Sequence, residues 1–503
     1  MSFHRSAIQF QQNCLADNKN KETFQYFKET ATAISLKAEN GINILRMQYD
    51  KVHQVSQDTV LANYLAPQKE TQSPKMPEAV IYPFGINQSQ KMAVERALSS
   101  QVSIIQGPPG TGKTQTILNI IANVVRGGQS VAVVSNNNSA THNVVEKLEK
   151  KNLDFLSAFL GSRANKQKFL EAQTGTYPNM RNWEMSLEEQ RQLDLDTTVL
   201  SKELNVMLKA KNRIAEIERT FLQLNPEHHY FDEYYSTFGN TLMGNLDKFS
   251  SQKILSLWME FEQYAEHKTH LGILKKISLW FRFNRSVLKL FLSQPELVIP
   301  YLQSQFYSAK KRELENEKQE LTRKLEHYAF DAKMGELTQK SLRLFRAELA
   351  SRYHWNGERK RFTEGDFRES PTTFTREYPV VLSTTYSIKG TLSMNHIYDY
   401  LIVDEASQVD LTTGILAFSC ARNIVIVGDL KQLPNVLTKA IFAPVMKFGK
   451  SFPWMNATVF LLIACFPLRW KHGETHLSHC CASTTAVIRK SLTFAIRSST
   501  TDS

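Results

Sequence analysis

The stretch GPPGTGKT, Gly107 to Thr114, constrains this chain more than any other feature. It fits the pattern G-x-x-x-x-G-K-[ST] without a mismatch. Its glycines, Gly107, Gly110 and Gly112, let successive backbone N–H groups turn inward around an anion. Pro108, Pro109 and Thr111 complete the loop. A helix that follows such a loop presents its positive end to the same phosphates. Lys113 is placed to reach the β and γ phosphates, and the Thr114 hydroxyl to ligate magnesium. The flanks agree with that assignment. Val102-Ser103-Ile104-Ile105 predicts a buried strand, and Thr116 to Val125 an apolar-faced helix. Nucleotide binding follows. The loop alone does not separate kinases, GTPases and ATPases.

Three further segments narrow the class. Ile397 to Val403 predicts a strand that delivers Asp404 and Glu405. Asp404 suits magnesium through its water shell, and Glu405 suits polarising an attacking water. Asn423 to Val427 predicts another strand, ending in Gly428-Asp429-Leu430-Lys431-Gln432. A Gln at position 432 can contact the γ phosphate and report hydrolysis. Upstream, Asn87 and Gln90 sit just before a helical pattern. A side-chain amide offers one donor side and one acceptor, which matches the adenine N6/N7 edge and favours ATP over GTP. No guanine-reading N-K-x-D occurs at a strand end, which argues against a GTPase.

The net charge of +12 favours an anionic partner. Five scattered cysteines (Cys14, Cys420, Cys465, Cys480, Cys481) form no CxxC pair, so a reducing, cytoplasmic setting is expected. The longest apolar run, Val459 to Phe466, is too short to span a bilayer. Two more strands, in Val131 to Thr141 and Tyr378 to Thr385, end in polar loops. Open α/β sheets bind ligands at such strand ends, and small polar side chains suit sugar-phosphate contacts. Ordinary strand-end turns account for the same residues.

Taken in order, NxSQ, GPPGTGKT, SNNNSAT, VVLSTT, DEAS and GDLKQLP resemble the first motor domain of superfamily 1 helicases, in the 5′-to-3′ subgroup of the nonsense-mediated-decay helicase. The resemblance covers Phe84 to Asn435. It implies an α/β fold, a RecA-like parallel sheet of the P-loop NTPase type, interrupted by a long helical stalk insertion. It implies ATP and Mg²⁺ as ligands and single-stranded DNA or RNA as partner. Residue by residue, Asn87 and Gln90 would stand at the adenine and Lys113 at the phosphates. Thr114 and Asp404 would ligate magnesium, with Glu405 as the catalytic base and Gln432 as the γ-phosphate sensor. Asn137, Ser139, Thr141, Ser383, Thr384 and Thr385 would be the single-strand contacts.

About 210 residues separate the SNNNSAT region from Tyr378. Leu200, Leu204, Met207, Ile214, Ile217 and Phe221 keep helical spacing, as do Leu314, Leu321, Leu325 and Tyr328. Two such helices returning against each other make an antiparallel coiled-coil stalk. The stretch Lys275 to Phe291 interleaves basic and aromatic residues. That composition suits phosphate contact with base stacking, but an amphipathic packing helix explains it better. The expected organisation starts with a helical N-terminal segment and linker (1–83). The RecA-like motor domain follows in two stretches (84–160 and 371–437), separated by the insertion (161–370), and an aberrant tail (438–503) ends the chain.

The tail reads as out of frame. Cys480 to Asp502 is encodable by a string that, read one base earlier, yields LLREHYRCHP and onward, similar to a segment that opens the family's second motor domain. The expectation is a frameshift between about Thr438 and Ala457 and an early stop at Ser503. His472, His476, His479, Cys480 and Cys481 then carry no zinc-site meaning. The expected function is ATP-dependent movement on nucleic acid by the parent protein. In a form without its second motor domain, nucleotide binding would be poor to modest and unwinding absent. The alternative is an inactive nucleotide- or nucleic-acid-binding fragment.

Overall fold

The computed structural model describes residues 13–34, 43–66, 74–136, 138–236, 246, 248–267, 297–353 and 357–429. The chain divides into two compact units, one of residues 200–334 and one of the remainder.

The larger unit is built on six strands, all parallel: β1 (Val102–Gln106), β2 (Val131–Ser135), β3 (Ser157–Phe159), β4 (Val380–Thr384), β5 (Tyr398–Val403) and β6 (Ala421–Gly428). Their order is β1-β6-β5-β2-β4-β3. Runs such as VAVVS in β2 are buried at every position, as a parallel sheet covered on both faces requires. The register aligns the carboxyl ends: Gln106 lies beside Gly428, Val403 beside Ile426, and Ser135 beside Thr384.

The helices of this unit are α1 (Asn18–Ile34), α2 (Ile44–Asp50), α3 (Val60–Leu65), α4 (Gln88–Ser99), α5 (Lys113–Arg126), α6 (Asn138–Glu149) and α7 (Arg163–Ala172). Then come α8 (Leu187–Ser236), which continues into the smaller unit, α9 (Ser251–His267) and α10 (Val298–His327), both in the smaller unit, and α11 (Phe330–Tyr353), which returns. Last are α12 (Asp366–Glu369), α13 (Pro371–Glu377) and α14 (Leu411–Phe418).

The N-terminal helices are not a separate body. Phe24, Phe27, Leu45, Tyr49 and Leu61 share one core with Ile415 and Leu416 of α14. The Tyr49 hydroxyl donates to the Thr412 carbonyl at 2.6 Å. Residues 161–172 and 357–377 also pack on the sheet. Phe362, Phe367 and Phe374 sit in its main core with Phe169 against them. Arg359 stacks its guanidinium 3.9 Å from the Tyr378 ring centre. The separate helical unit is therefore shorter than the expected 161–370 insertion, because an aromatic cluster ties both of that insertion's ends to the sheet.

In the smaller unit, α8 and α10 run antiparallel. Glu203 meets Tyr328 and Arg213 meets Glu317, so one number rises as the other falls, and Glu218 meets Lys318 beside the second of these pairs. Leu204 and Ile217 are buried, as is Leu314. Leu257, Phe261, Tyr301 and Leu302 join α9 to α10. The basic-aromatic stretch 275–291 and the tail 438–503 lie outside the described residues.

Candidate nucleotide site

The loop begins where β1 ends. Gly107 N–H donates to the Gly428 carbonyl at 3.1 Å, so the loop's first residue is tied to the end of β6. Gly112, at φ 82°, precedes the first turn of α5, and that conformation excludes most side chains. A Cβ there would also lie 2.1 Å from Gln90 Nε2. Lys113 Nζ donates to the Gly107 carbonyl at 2.7 Å, so the ammonium arches over the loop. Thr114 is half-buried in the first turn of the same helix.

The carboxylates arrive from β5, two strands away, with β6 between. Asp404 N–H continues the ladder to the Val134 carbonyl at 2.8 Å. Burial pushes the Asp404 carboxyl above the usual carboxylate range, opposed by the Glu405 N–H at 2.9 Å and by the Lys113 charge. The strand order brings the loop lysine and the strand-end aspartate to the same carboxyl edge of the sheet, one strand apart, and the lysine charge acts on the aspartate there. Glu405 holds a left-handed backbone, φ 51°, uncommon for a residue with a side chain. Its Oε2 is buried and has no hydrogen-bond partner among the described residues. A buried unpaired carboxylate oxygen is costly unless something else occupies its lone pairs. The donor set fits a triphosphate with a hard divalent ion: a lysine, a helix N-terminus, a threonine hydroxyl and two carboxylates.

Gln90 is placed differently from expectation. It is buried, and both ends of its amide are engaged. Its Oε1 accepts from Asn87 N–H at 2.8 Å while Asn87 Oδ1 accepts from Gln90 N–H at 2.9 Å, a capping box at the start of α4. Its Nε2 faces the Thr111 and Gly112 carbonyls at 3.4 and 3.3 Å and Gln115 Oε1 at 3.1 Å. The side chain therefore bridges the cap to the phosphate loop, where adenine reading would need those atoms free. Asn87 is exposed.

The strand-end hydroxyls divide by the period of two. Ser383 and Thr385 are buried, and Ser383 Oγ pairs with Thr391 Oγ1 at 3.1 Å. As placed, they are core groups and not surface contacts. Thr384 between them is half-buried and donates to Ser387 Oγ at 3.0 Å. Thr141 is buried in α6. The side chains of Asn137 and Ser139, and all of Gln432, lie outside the described residues. Asn136 pins the loop after β2 to the carboxylate loop, Nδ2 to the Gln408 carbonyl at 3.0 Å.

Sequence inspection missed three side chains here: Gln115, Asn119 and Asn123, amides at intervals of four on α5. They were legible as polar exceptions in an otherwise apolar helix, but their partners were not.

A phosphate loop leading into a buried helix, with its strand separated by one neighbour from a strand ending in paired carboxylates, defines a RecA-like P-loop NTPase domain. The chain belongs to the family described as an AAA domain (AAA_11), whose model matches residues 85–440. It is similar to DNA-binding protein SMUBP-2 of Mesocricetus auratus, 34% identical over 20% of this chain and 10% of that protein. It is similar to the regulator of nonsense transcripts 1 homolog of Drosophila melanogaster, 40% identical over 16% of this chain and 7% of that protein. The ATP-dependent helicase upf1 of Schizosaccharomyces pombe matches over a longer stretch, 26% identical over 37% of this chain and 20% of that protein. The matched stretches are thus a fifth or less of these relatives' own lengths. Family and relatives bear out the likeness to a superfamily 1 helicase motor domain. No helix among the described residues is long and apolar enough to cross a membrane.

Proposed function

We propose that this domain hydrolyses ATP and couples the hydrolysis to movement along single-stranded DNA or RNA. The observation that carries this is the delivery of the Lys113 loop and of Asp404 to the carboxyl edge of the sheet by strands one neighbour apart, beside a Glu405 carboxylate oxygen left without a partner among the described residues. Lys113 and the N-terminal end of α5 neutralise the triphosphate. Thr114 and Asp404 hold Mg²⁺, which screens phosphate charge when bound. Glu405 accepts the proton of the attacking water, and its fixed backbone aims the carboxylate. Gln432 senses the γ phosphate. Thr384 ends β4, and Asn137 and Ser139 follow β2 in the sequence; these three are the residues proposed to meet the nucleic-acid strand, whereas Thr141 is buried in α6. The chain's positive charge supports that partner. Free buried Cys14 and Cys420 fit a reducing, cytoplasmic setting.

The test is ATP binding and turnover by the purified chain, with and without single-stranded nucleic acid. Glu405→Gln should keep ATP affinity while turnover falls about 10²–10⁴-fold. Lys113→Ala should lose binding. Wild-type ATP affinity in Lys113→Ala would overturn the proposal. Strand displacement by the same chain checks the expectation that it does not unwind duplexes alone.

A further inference from the structure

The helix behind the phosphate loop carries a feature that anion binding does not require. From Thr116 to Val125 every residue of α5 is buried, and apolar packing alone would seat such a helix. Yet Asn119 and Asn123 lie in that stretch, with Gln115 one turn ahead of Asn119. A buried amide must find partners, and these converge on one segment, the chain at residues 81–85, which turns at Pro83-Phe84 with Gly85 N–H donating to the Tyr82 carbonyl at 3.1 Å. Asn123 accepts from Ile81 N–H at 2.9 Å and donates to the Ile81 carbonyl at 2.7 Å. Asn119 accepts from Phe84 N–H at 3.1 Å and donates to the Gly85 carbonyl at 2.8 Å. Gln115 donates to the Phe84 carbonyl and accepts from Gln90 Nε2. Gly85 has φ 76°, and a Cβ on it would lie 3.0 Å from Gln115 Nε2, so the strap and the ladder fit without room for a side chain.

The strap leads directly into the Asn87–Gln90 cap, and Gln90 bonds back to the loop at Thr111 and Gly112. Loop, ladder, strap and cap therefore close a ring of hydrogen bonds. Hydrophobic packing tolerates sliding, whereas directed amide pairs hold position and angle. We infer that Gln115, Asn119 and Asn123 are positioning residues that set where the Asn87–Gln90 cap stands relative to the phosphate loop, with the exposed Asn87, and not the engaged Gln90 amide, at the nucleoside end of the site, and so set the preference for a complete adenine nucleotide over a bare polyphosphate. The inference rests on the ATP-binding proposal above.

The experiment compares ATP, GTP and inorganic tripolyphosphate binding by wild type, Asn119→Leu and Gln115→Met in the full chain. A hydrogen bond lost to the site is worth about tenfold in affinity. Both variants should weaken ATP about tenfold, move tripolyphosphate by less than about twofold, and bring the ATP-to-GTP ratio toward one. Equal losses for ATP and tripolyphosphate would overturn the inference, because the ladder would then only support the loop. So would unchanged binding alongside a lowered Tm. If Asn119→Leu does not fold, the half-buried Gln115→Met decides. A wild type that binds neither ATP nor tripolyphosphate would overturn the nucleotide site itself, and the ladder's role with it.

Discussion

The sheet body and the helical unit of residues 200–334 both hold long helices with ion pairs, but in opposite settings. In the body, Arg126 ends α5 and reaches Asp194 of α8 at 2.8 Å, Glu348 of α11 at 3.0 Å and the Ala79 carbonyl at 2.9 Å. Arg126 is mostly covered, and burial pushes the Glu348 carboxyl above its usual range despite that arginine. In the helical unit, Arg213 forks onto Glu317 at 2.6 and 3.0 Å, a shorter pair than any of those, yet both side chains are more than a third exposed. Distance is therefore a poor guide to worth. A covered pair has lost its water and cannot lose a partner cheaply, whereas an exposed pair exchanges one solvated state for another.

The largest effect should come from the covered network. Arg126→Ala leaves Glu348 half-desolvated without its cation and should cost about 3 kcal/mol of stability in urea unfolding. A loss as small as that of an exposed pair would break the contrast. Next is Gly112→Ala, which forces a side chain into a left-handed position against Gln90. Strain of about 1–3 kcal/mol should appear in the Tm of the body, with ATP affinity reduced.

The third prediction concerns acid. Burial lowers the His396 pKa to about 4, with Asp399 opposing and Arg422 and Lys389 reinforcing the shift. Between that value and the unfolded value near 6.5 the unfolded chain binds more protons, so stability is full above pH 6.5 and falls as pH drops toward 4. His396→Phe should remove on the order of 2 kcal/mol of that acid sensitivity, read as the difference in Tm–pH profiles. The smallest effect is Arg213→Ala, about 0.5 kcal/mol and shrinking with added salt. An effect as large as that of Arg126→Ala would show that exposure does not govern the two regions.

What could be read without coordinates was local. GPPGTGKT carries its own backbone demands, and the strands ending at Gln106, Val403 and Gly428 announce themselves as β-branched runs before polar turns. The antiparallel pair followed from periodicity in Leu204, Ile217 and Leu314. Partner choice was not local. The amide of Gln90 suits adenine and suits a cap equally, and its bonds to Asn87 and to Thr111, Gly112 and Gln115, more than twenty positions on, select between them here. The hydroxyls of Ser383 and Thr385 looked available because a strand's two faces cannot be assigned from three polar residues in a row. Phe362 and Phe367 looked like insertion because their packing with Phe169 and Phe374 is a tertiary fact.

The hydrogen bond from the Gly107 N–H to the Gly428 carbonyl, which continues the β1–β6 ladder, has a mechanical meaning. Whatever grips the chain just past Asp429 pulls on the same strand terminus that anchors the mouth of the phosphate loop.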